Sequence, residues 1–306
     1  MKKSLIFSTV FGVCLLFISG GLKTARGWEE DKIAFLRYSH VPASDLDKED
    51  GEIEMNRVAG MAMFPFALSD QLVVFPGLAY SGLFLDYQAL TFSFPTPDGG
   101  TFTEKDLPDD LHVLDIILGG NVQWEENLGT ALLLYPGIHS DFKDLEGDDV
   151  YFSGAALLSY RFSEDFLLSG GLYYDDSFGY PQLLPMLGVQ WRLSEELTLD
   201  GLLPQYLVFA YRAGDRLAVG LKYMVSGDQY RLSENKPWKD TIVKYSQMLA
   251  GPFVDITLAD HLVLRLEGGF AFSREFEFQD DDTSAKLFDG DIKDNGYAGG
   301  SISLQY

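Results

Sequence analysis

One cysteine occurs in the chain, Cys14, and it lies in an apolar run near the start. Phe11-Gly12-Val13 precede it and further apolar residues follow, so a lipoprotein cleavage there is disfavoured. With no other thiol there is no disulfide framework, no cysteine nucleophile and no cysteine-ligated metal. Basic residues are scarce: 23 Lys and Arg stand against 46 Asp and Glu, for a formal net charge of −23. A surface this acidic is a poor partner for nucleic acid. Histidines number four. After the first twenty residues no apolar run approaches the roughly twenty residues a membrane helix needs. Yet 46% of the residues are hydrophobic and 14% aromatic. High apolar content without long apolar runs is what strict alternation produces.

The start reads as an export signal. Lys2 and Lys3 form a basic beginning, Leu5 to Ile18 is mostly apolar, and Ala25-Arg26-Gly27 puts small residues where a signal peptidase reads. Cleavage is therefore expected after Gly27, with residues 1–27 as signal peptide and 28–306 as one domain. The run is short for a retained helix. Lys2, Lys3, Lys23 and Arg26 leave with the signal and no acid does, which takes the exported chain to −27.

The other end carries a strand signature. Tyr306, Leu304, Ile302, Gly300 and Ala298 share one side of an extended segment, and Gln305, Ser303, Ser301 and Gly299 the other. Bacterial outer-membrane barrels finish on an apolar face of this kind ending in an aromatic, so Ile302, Leu304 and Tyr306 are the expected assembly signal. One short acidic turn recurs along the chain: Leu68-Ser69-Asp70-Gln71-Leu72, Phe162-Ser163-Glu164-Asp165-Phe166, Leu193-Ser194-Glu195-Glu196-Leu197 and Leu258-Ala259-Asp260-His261-Leu262. Trp124-Glu125-Glu126-Asn127-Leu128 and Ala213-Gly214-Asp215 complete a set of six, read as periplasmic turns. Longer polar stretches at 42–52, 92–109, 141–149, 176–181, 231–240 and 278–293 read as outer loops, and Leu203-Pro204-Gln205 as a very short one.

These marks predict an all-β fold, a transmembrane antiparallel up-and-down barrel of about fourteen strands. The spans are 31–41, 53–67, 72–90, 110–124, 128–140, 150–162, 166–176, 182–193, 197–203, 205–212, 216–229, 241–258, 261–277 and 294–306. The pair within 197–212 is shorter than a tilted span needs. If that hairpin is re-entrant, the count is twelve.

Alternation assigns the faces. His112, Leu114, Ile116, Leu118, Val122 and Trp124 oppose Asp115, Gly119, Asn121 and Gln123. Leu217, Val219, Leu221, Tyr223 and Val225 oppose Arg216, Ala218, Gly220, Lys222 and Ser226. Leu262, Leu264, Leu266, Phe270 and Phe272 oppose Arg265, Glu267, Gly269, Ser273 and Glu275. The first set in each case is expected to meet lipid. Trp124, Phe162, Phe166, Trp191, Tyr211 and Tyr306 fall on the apolar series beside inner turns, where a periplasmic aromatic girdle belongs. A soluble β-sandwich also alternates but has no reason to gather aromatics at one height.

Three segments carry a family likeness: Leu134-Tyr135-Pro136-Gly137-Ile138-His139-Ser140-Asp141-Phe142, Leu184-Pro185-Met186-Leu187-Gly188-Val189-Gln190-Trp191, and Leu203-Pro204 followed by Ala210-Tyr211. The region 110–232 resembles an uncharacterised family of bacterial outer-membrane barrels, a domain of unknown function. The resemblance implies a barrel in the outer membrane and brings no catalytic residues.

Chemistry-bearing residues point in several directions. Ser39-His40 and His139-Ser140 are adjacent pairs, but neighbours on a strand face opposite ways and neither pair is a nucleophile with its base. His139 and Asp141 share a face. Three loops are rich in carboxylates: Asp45, Asp47, Glu49, Asp50 and Glu52; Asp141, Asp144, Glu146, Asp148 and Asp149; Asp280, Asp281, Asp282, Asp289 and Asp291. Such clusters suit Ca²⁺ or Mg²⁺. Asp289-Gly290-Asp291-Ile292-Lys293 nevertheless departs from the calcium-loop pattern at Lys293. The reading carries neither a metal site nor a cofactor, and takes the loops as solvated surface near lipopolysaccharide. Lumen-facing charge is expected from Asp115, His139, Asp175, Arg192, Lys222, Lys244, Arg265 and Glu267. Val113, Ile117, Leu133, Leu157, Leu167, Leu184, Met186 and Met224 share that series, which is unusually apolar for an open diffusion pore. Either side chains partly fill the barrel or it passes something apolar.

The sequence therefore points to a bacterial outer-membrane barrel that lets small solutes pass, with a cation preference set by its acidic mouth. Its partners would be membrane lipid, lipopolysaccharide and, through the last strand, the barrel-assembly machinery. The alternatives are a non-conducting structural or surface-interaction barrel, and an outer-membrane lipid hydrolase.

Overall fold

The structure is a computed structural model and describes residues 32–47, 50–89, 94–95, 101–102, 107–175, 182–233, 241–283 and 285–305. The signal segment, loop 176–181 and Tyr306 lie outside the described residues. Fourteen long strands form one closed antiparallel barrel. In chain order they are β1 (Lys32–Asp45), β2 (Glu52–Met63), β3 (Leu72–Gln88), β4 (Asp110–Glu125), β5 (Leu128–Ser140), β6 (Val150–Ser163) and β7 (Phe166–Asp175). They continue with β8 (Gln182–Arg192), β9 (Leu197–Leu203), β10 (Tyr206–Arg212), β11 (Leu217–Arg231), β12 (Thr241–Ala259), β13 (Leu262–Asp280) and β14 (Asn295–Gln305). Each pairs with its sequence neighbour, and β14 pairs with β1 to close the ring, Leu36 opposite Ile302. Closure matters because a sheet edge left open in hydrocarbon strands its backbone N–H and C=O groups.

The repeated acidic turns are built alike. Leu68 N donates to Leu72 O at 2.8 Å, and Leu193 N to Leu197 O at 2.9 Å. In the three turns that contain serine, its hydroxyl accepts backbone N–H groups that follow it. Ser69 Oγ takes Leu72 N at 3.1 Å, Ser194 Oγ takes Leu197 N at 3.1 Å, and Ser163 Oγ takes Asp165 N at 3.3 Å. This is the local hydrogen bonding that suits serine to turns.

The short pair is part of the wall. β8 pairs β9, β9 pairs β10 and β10 pairs β11, so the count is fourteen. Three features depart from the sequence reading. Loop 278–293 contains a strand, Lys286–Ile292, which folds back on β13. At Ser273 the ladder bulges: Ser246 faces Glu275 while Met248 faces Phe272, and Ser273 takes φ 51°. The extra residue switches the faces. Ser273 and Glu275, assigned to the lumen by parity, turn away from it, and Arg274, Phe276 and Phe278 are buried instead. The third departure is in β11. Val225, placed on the lipid series, is buried, as is every residue from Val225 to Tyr230. Here β11 stays paired with β12 but parts from β10 and leans inward until Arg231 bridges Ser140 of β5.

The outer face is an apolar band. Leu36, Leu78, Ile116, Leu118, Leu132, Leu158, Leu187 and Leu266 are exposed on it, with Leu221 at 61% and Phe270 at 70%. His112 sits on this series at the outer end of β4, where Tyr80 Oη and Asp110 Oδ2 lie 3.0 and 3.2 Å from its ring nitrogens. At the other end Trp124, Phe162, Trp191 and Tyr211 are exposed. Phe166 stacks between Phe162 and Trp191, with ring centroids 5.4 and 5.6 Å away. Phe64 and Phe66 extend that belt and were not read from the sequence.

Candidate functional site

The lumen is the one place where the fold gathers chemistry from many strands. Its lower half is apolar. A single row crosses six strands as Phe75, Gly119, Leu133, Ala155, Tyr173 and Leu184, each opposite the next. Large and small side chains alternate from Phe75 to Tyr173, the pattern that lets a curved sheet interdigitate with itself. Glycine is required at the second place, because a Cβ on Gly119 would stand 1.9 Å from the Phe75 ring. The same device recurs where Phe253 lies over Gly220, 2.6 Å from the position a Cβ would take. Val113, Ile117, Leu133, Leu157, Leu167 and Met186 are all buried, and Leu184 and Met224 pack partly buried against the same groups. A second apolar cluster, including Met55, Leu111, Val243, Tyr245 and Phe276, occupies the outer half.

Charges thread between these clusters, nearly all in pairs. Arg265 Nε and Nη2 donate to the two oxygens of Asp255 at 2.7 and 2.8 Å, and its guanidinium lies 4.2 Å over the Phe253 ring. Glu267 accepts from Arg37 and lies 3.5 Å from Lys222 Nζ. Lys244 lies 3.7 Å from Glu277, which Lys286 also reaches at 2.5 Å. His139 Nε2 meets Asp115 Oδ1 at 3.0 Å. A bidentate or multiply bonded geometry is what keeps a desolvated charge tolerable.

One brace spans the barrel. Arg57 of β2 donates to Ser81 Oγ at 2.8 Å, to Ser226, and to Asp228 Oδ2 at 2.5 Å. Four strands of wall separate β2 from β11 on the short way round. Gln229, on the opposite side of the crossing segment, donates to Tyr151 Oη at 3.3 Å. The inward-leaning end of β11 is thus held from both sides.

Of the eight charges and imidazoles assigned inward by parity, Asp115, His139, Asp175, Lys222, Lys244, Arg265 and Glu267 line this interior. Arg192 sits at the lower rim, 3.3 Å from Asp165. Arg37, Arg57, Asp228 and Asp255 belong to the same networks and were missed, as was the buried Arg274, which donates to Ser44 Oγ at 2.6 Å. Parity marks a face, but it does not reveal which residue on a strand 171 positions away will answer Arg57.

The histidine pairs do not form a hydrolytic pair. His139 turns to Asp115 rather than Asp141, and Ser140 Oγ accepts Phe142 N at 3.0 Å. His40 Nδ1 lies 3.1 Å from Asn56 Oδ1. The acidic loops lean on each other: Asp47 N donates to Asp291 O at 2.8 Å, and Lys293 Nζ bonds Asp45 at 3.0 Å. Lys293 holds its proton more tightly than an ordinary lysine because of the Asp45 carboxylate beside it. Among the described residues no three carboxylates, imidazoles or thiols converge as a metal-ligand set.

A closed barrel with an apolar outer band and a side-chain-lined lumen defines the class. A family model described as a domain of unknown function, DUF6268, matches residues 32–298, and the chain belongs to that family. No curated protein matches it. Among solved structures, the COG4313 outer-membrane channel from Pseudomonas putida F1 is 11% identical with a TM-score of 0.41, covering 89% of this chain and 94% of that one. The toluene transporter TodX of Pseudomonas putida is 11% identical with a TM-score of 0.38, covering 89% of each chain. At these identities the likeness concerns the fold.

Proposed function

We propose that the protein resides in a bacterial outer membrane, reached through a cleaved signal peptide and assembled through its last strand, and that it lets small solutes pass passively. The observation that carries this reading is the pairing of faces. The ring is closed, its outside is a continuous apolar band with an aromatic belt, and its inside carries paired charges between apolar clusters. Export past a lipid phase explains the first two features and a solute path explains the third. Carboxylates of 42–52, 141–149 and 278–293 stand at one mouth. Single-sign charge there raises the local concentration of cations, and salt screens the effect.

The second reading is a non-conducting structural barrel. It is favoured by the Arg57–Asp228 brace and by the burial of so many inward side chains. Reversal potentials across a planar bilayer in a salt gradient separate the two. The passage reading expects conductance with cation preference that declines when the acids of 141–149 become Asn and Gln. Anion preference would reject the mouth mechanism, and a silent bilayer holding folded protein would favour the structural barrel.

A further inference from the structure

The wall is not of even height. β9 and β10 have seven residues each, whereas β8 has 11 and β11 has 15. β8 pairs β7 from Gln182 to Trp191 but pairs β9 only from Leu187 to Arg192. β11 pairs β12 throughout its length but pairs β10 only as far as Met224. The last rung there is Val225 N to Gln205 O at 2.8 Å. Above it, among the described residues, no wall strand lies between Gln182–Met186 on one side and the end of β11 on the other. Five residues of strand span about 16 Å, a large part of an apolar band about 25 Å tall. The inward lean of β11 toward Ser140 keeps its end away from β8.

The chemistry of this gap is specific. Arg192 N donates to Asp165 O and Leu193 N to Leu197 O. By the alternation of the ladder, even-numbered residues of β8 direct their backbone groups at β7 and odd-numbered ones at β9. Residues 183 and 185 are therefore the two whose N–H groups would point into the gap, and the second of them is Pro185. A proline there removes a donor that hydrocarbon would leave unsatisfied. It also denies a rung to any added strand, which argues against a partner's strand filling the space. The side chains along the lower part of the gap are apolar, Leu184 and Met224 half-buried and Met186, Tyr206 and Val225 buried, while higher on β11 Ser226, Asp228 and Gln229 are polar and buried. Leu184 is also the last member of the lumen row that begins at Phe75. The apolar lining of the lumen thus runs without interruption to a break in the wall.

We propose that this break is a side door through which a small apolar solute, aromatic or aliphatic, moves between the lumen and the outer membrane leaflet. The inference rests on the passage reading and adds both a route and a solute class. A molecule already among apolar side chains reaches hydrocarbon here without crossing the charged outer mouth.

The test uses bacteria producing the full protein and the dye N-phenyl-1-naphthylamine, which fluoresces on entering membrane. Swelling of proteoliposomes in arabinose serves as the hydrophilic control. The expected result is dye uptake several-fold faster than in cells lacking the protein. Leu184→Arg should return dye uptake to the empty-cell rate; because Leu184 also lines the lumen, arabinose swelling should fall as well, but by a smaller factor than dye uptake. Leu184→Trp, which fills the gap without a charge, should act likewise and covers the case in which the arginine variant fails to fold; heat-modifiable migration reports folding. Uptake unaffected by both folded variants, or a parallel loss of dye and arabinose passage, would overturn the side door. So would arabinose swelling with no dye effect in the wild type. Absence of both activities in the wild type would instead refute the passage reading on which it rests.

Discussion

Truncating Leu133 tests whether the row from Phe75 to Leu184 packs dry along the lumen wall. The side chain is 1% exposed, and its row neighbours on the adjacent strands are Gly119 and Ala155. Leu133→Ala would place three small residues side by side. The backbone on either side is held by the ladder of a closed ring and cannot collapse into the space. A buried Leu→Ala change costs about 2–5 kcal/mol, more where the site cannot relax, and rigidity places this one at about 3 kcal/mol or above. Were the Leu133 side chain to face water, the same change would be a surface substitution costing about 0.5 kcal/mol or less. Urea titration of refolding into phospholipid vesicles reads the difference through the midpoint at constant slope. A cost under about 1 kcal/mol with an unchanged slope would refute the packing of this row.

Gly119→Ala should destabilise by about 1–3 kcal/mol by driving a methyl into Phe75, and Phe75→Leu in the same chain should recover part of the loss in the same titration. Asp255→Ala strands the Arg265 charge in a buried site and should cost about 3–5 kcal/mol, whereas Asp255→Leu with Arg265→Met should cost far less; equal losses would contradict the buried pair. Leu221→Arg, on the lipid face, should cost about 2–4 kcal/mol near the bilayer midplane, and a cost near zero in a refolding titration would put that face in water. Replacing Tyr306 by Asp should lower the amount of heat-modifiable protein in the outer membrane without lowering export, as read by fractionation.

Much of this architecture was legible because a barrel writes itself locally. Each turn repeats a short acidic pattern, with serine in three of the six, and a period of two marks the faces. The row Asp115, Lys222, Arg265 and Glu267 could therefore be assigned inward one strand at a time. What escaped was non-local. Phe270, Phe272, Phe276 and Phe278 share one parity, and only the bulge at Ser273 sends the last two inward. A serine carries no mark of that bulge. The swing of β11 toward Ser140 depends on Arg57, Ser81 and Tyr151 arriving from distant strands. Parity likewise placed Ala218 inside but gave no sign that it is 1% exposed. The short strands β9 and β10 were visible as a weakness in the pattern. Their meaning as a low stretch of wall needed the lengths of β8 and β11 beside them.

Passage through the barrel is tested most directly by swelling of liposomes that contain the refolded wild-type protein, in isotonic arabinose. The account predicts swelling faster than in protein-free liposomes and proportional to the amount of heat-modifiable barrel inserted. Liposomes carrying fully folded barrel that swell no faster than empty ones would contradict it.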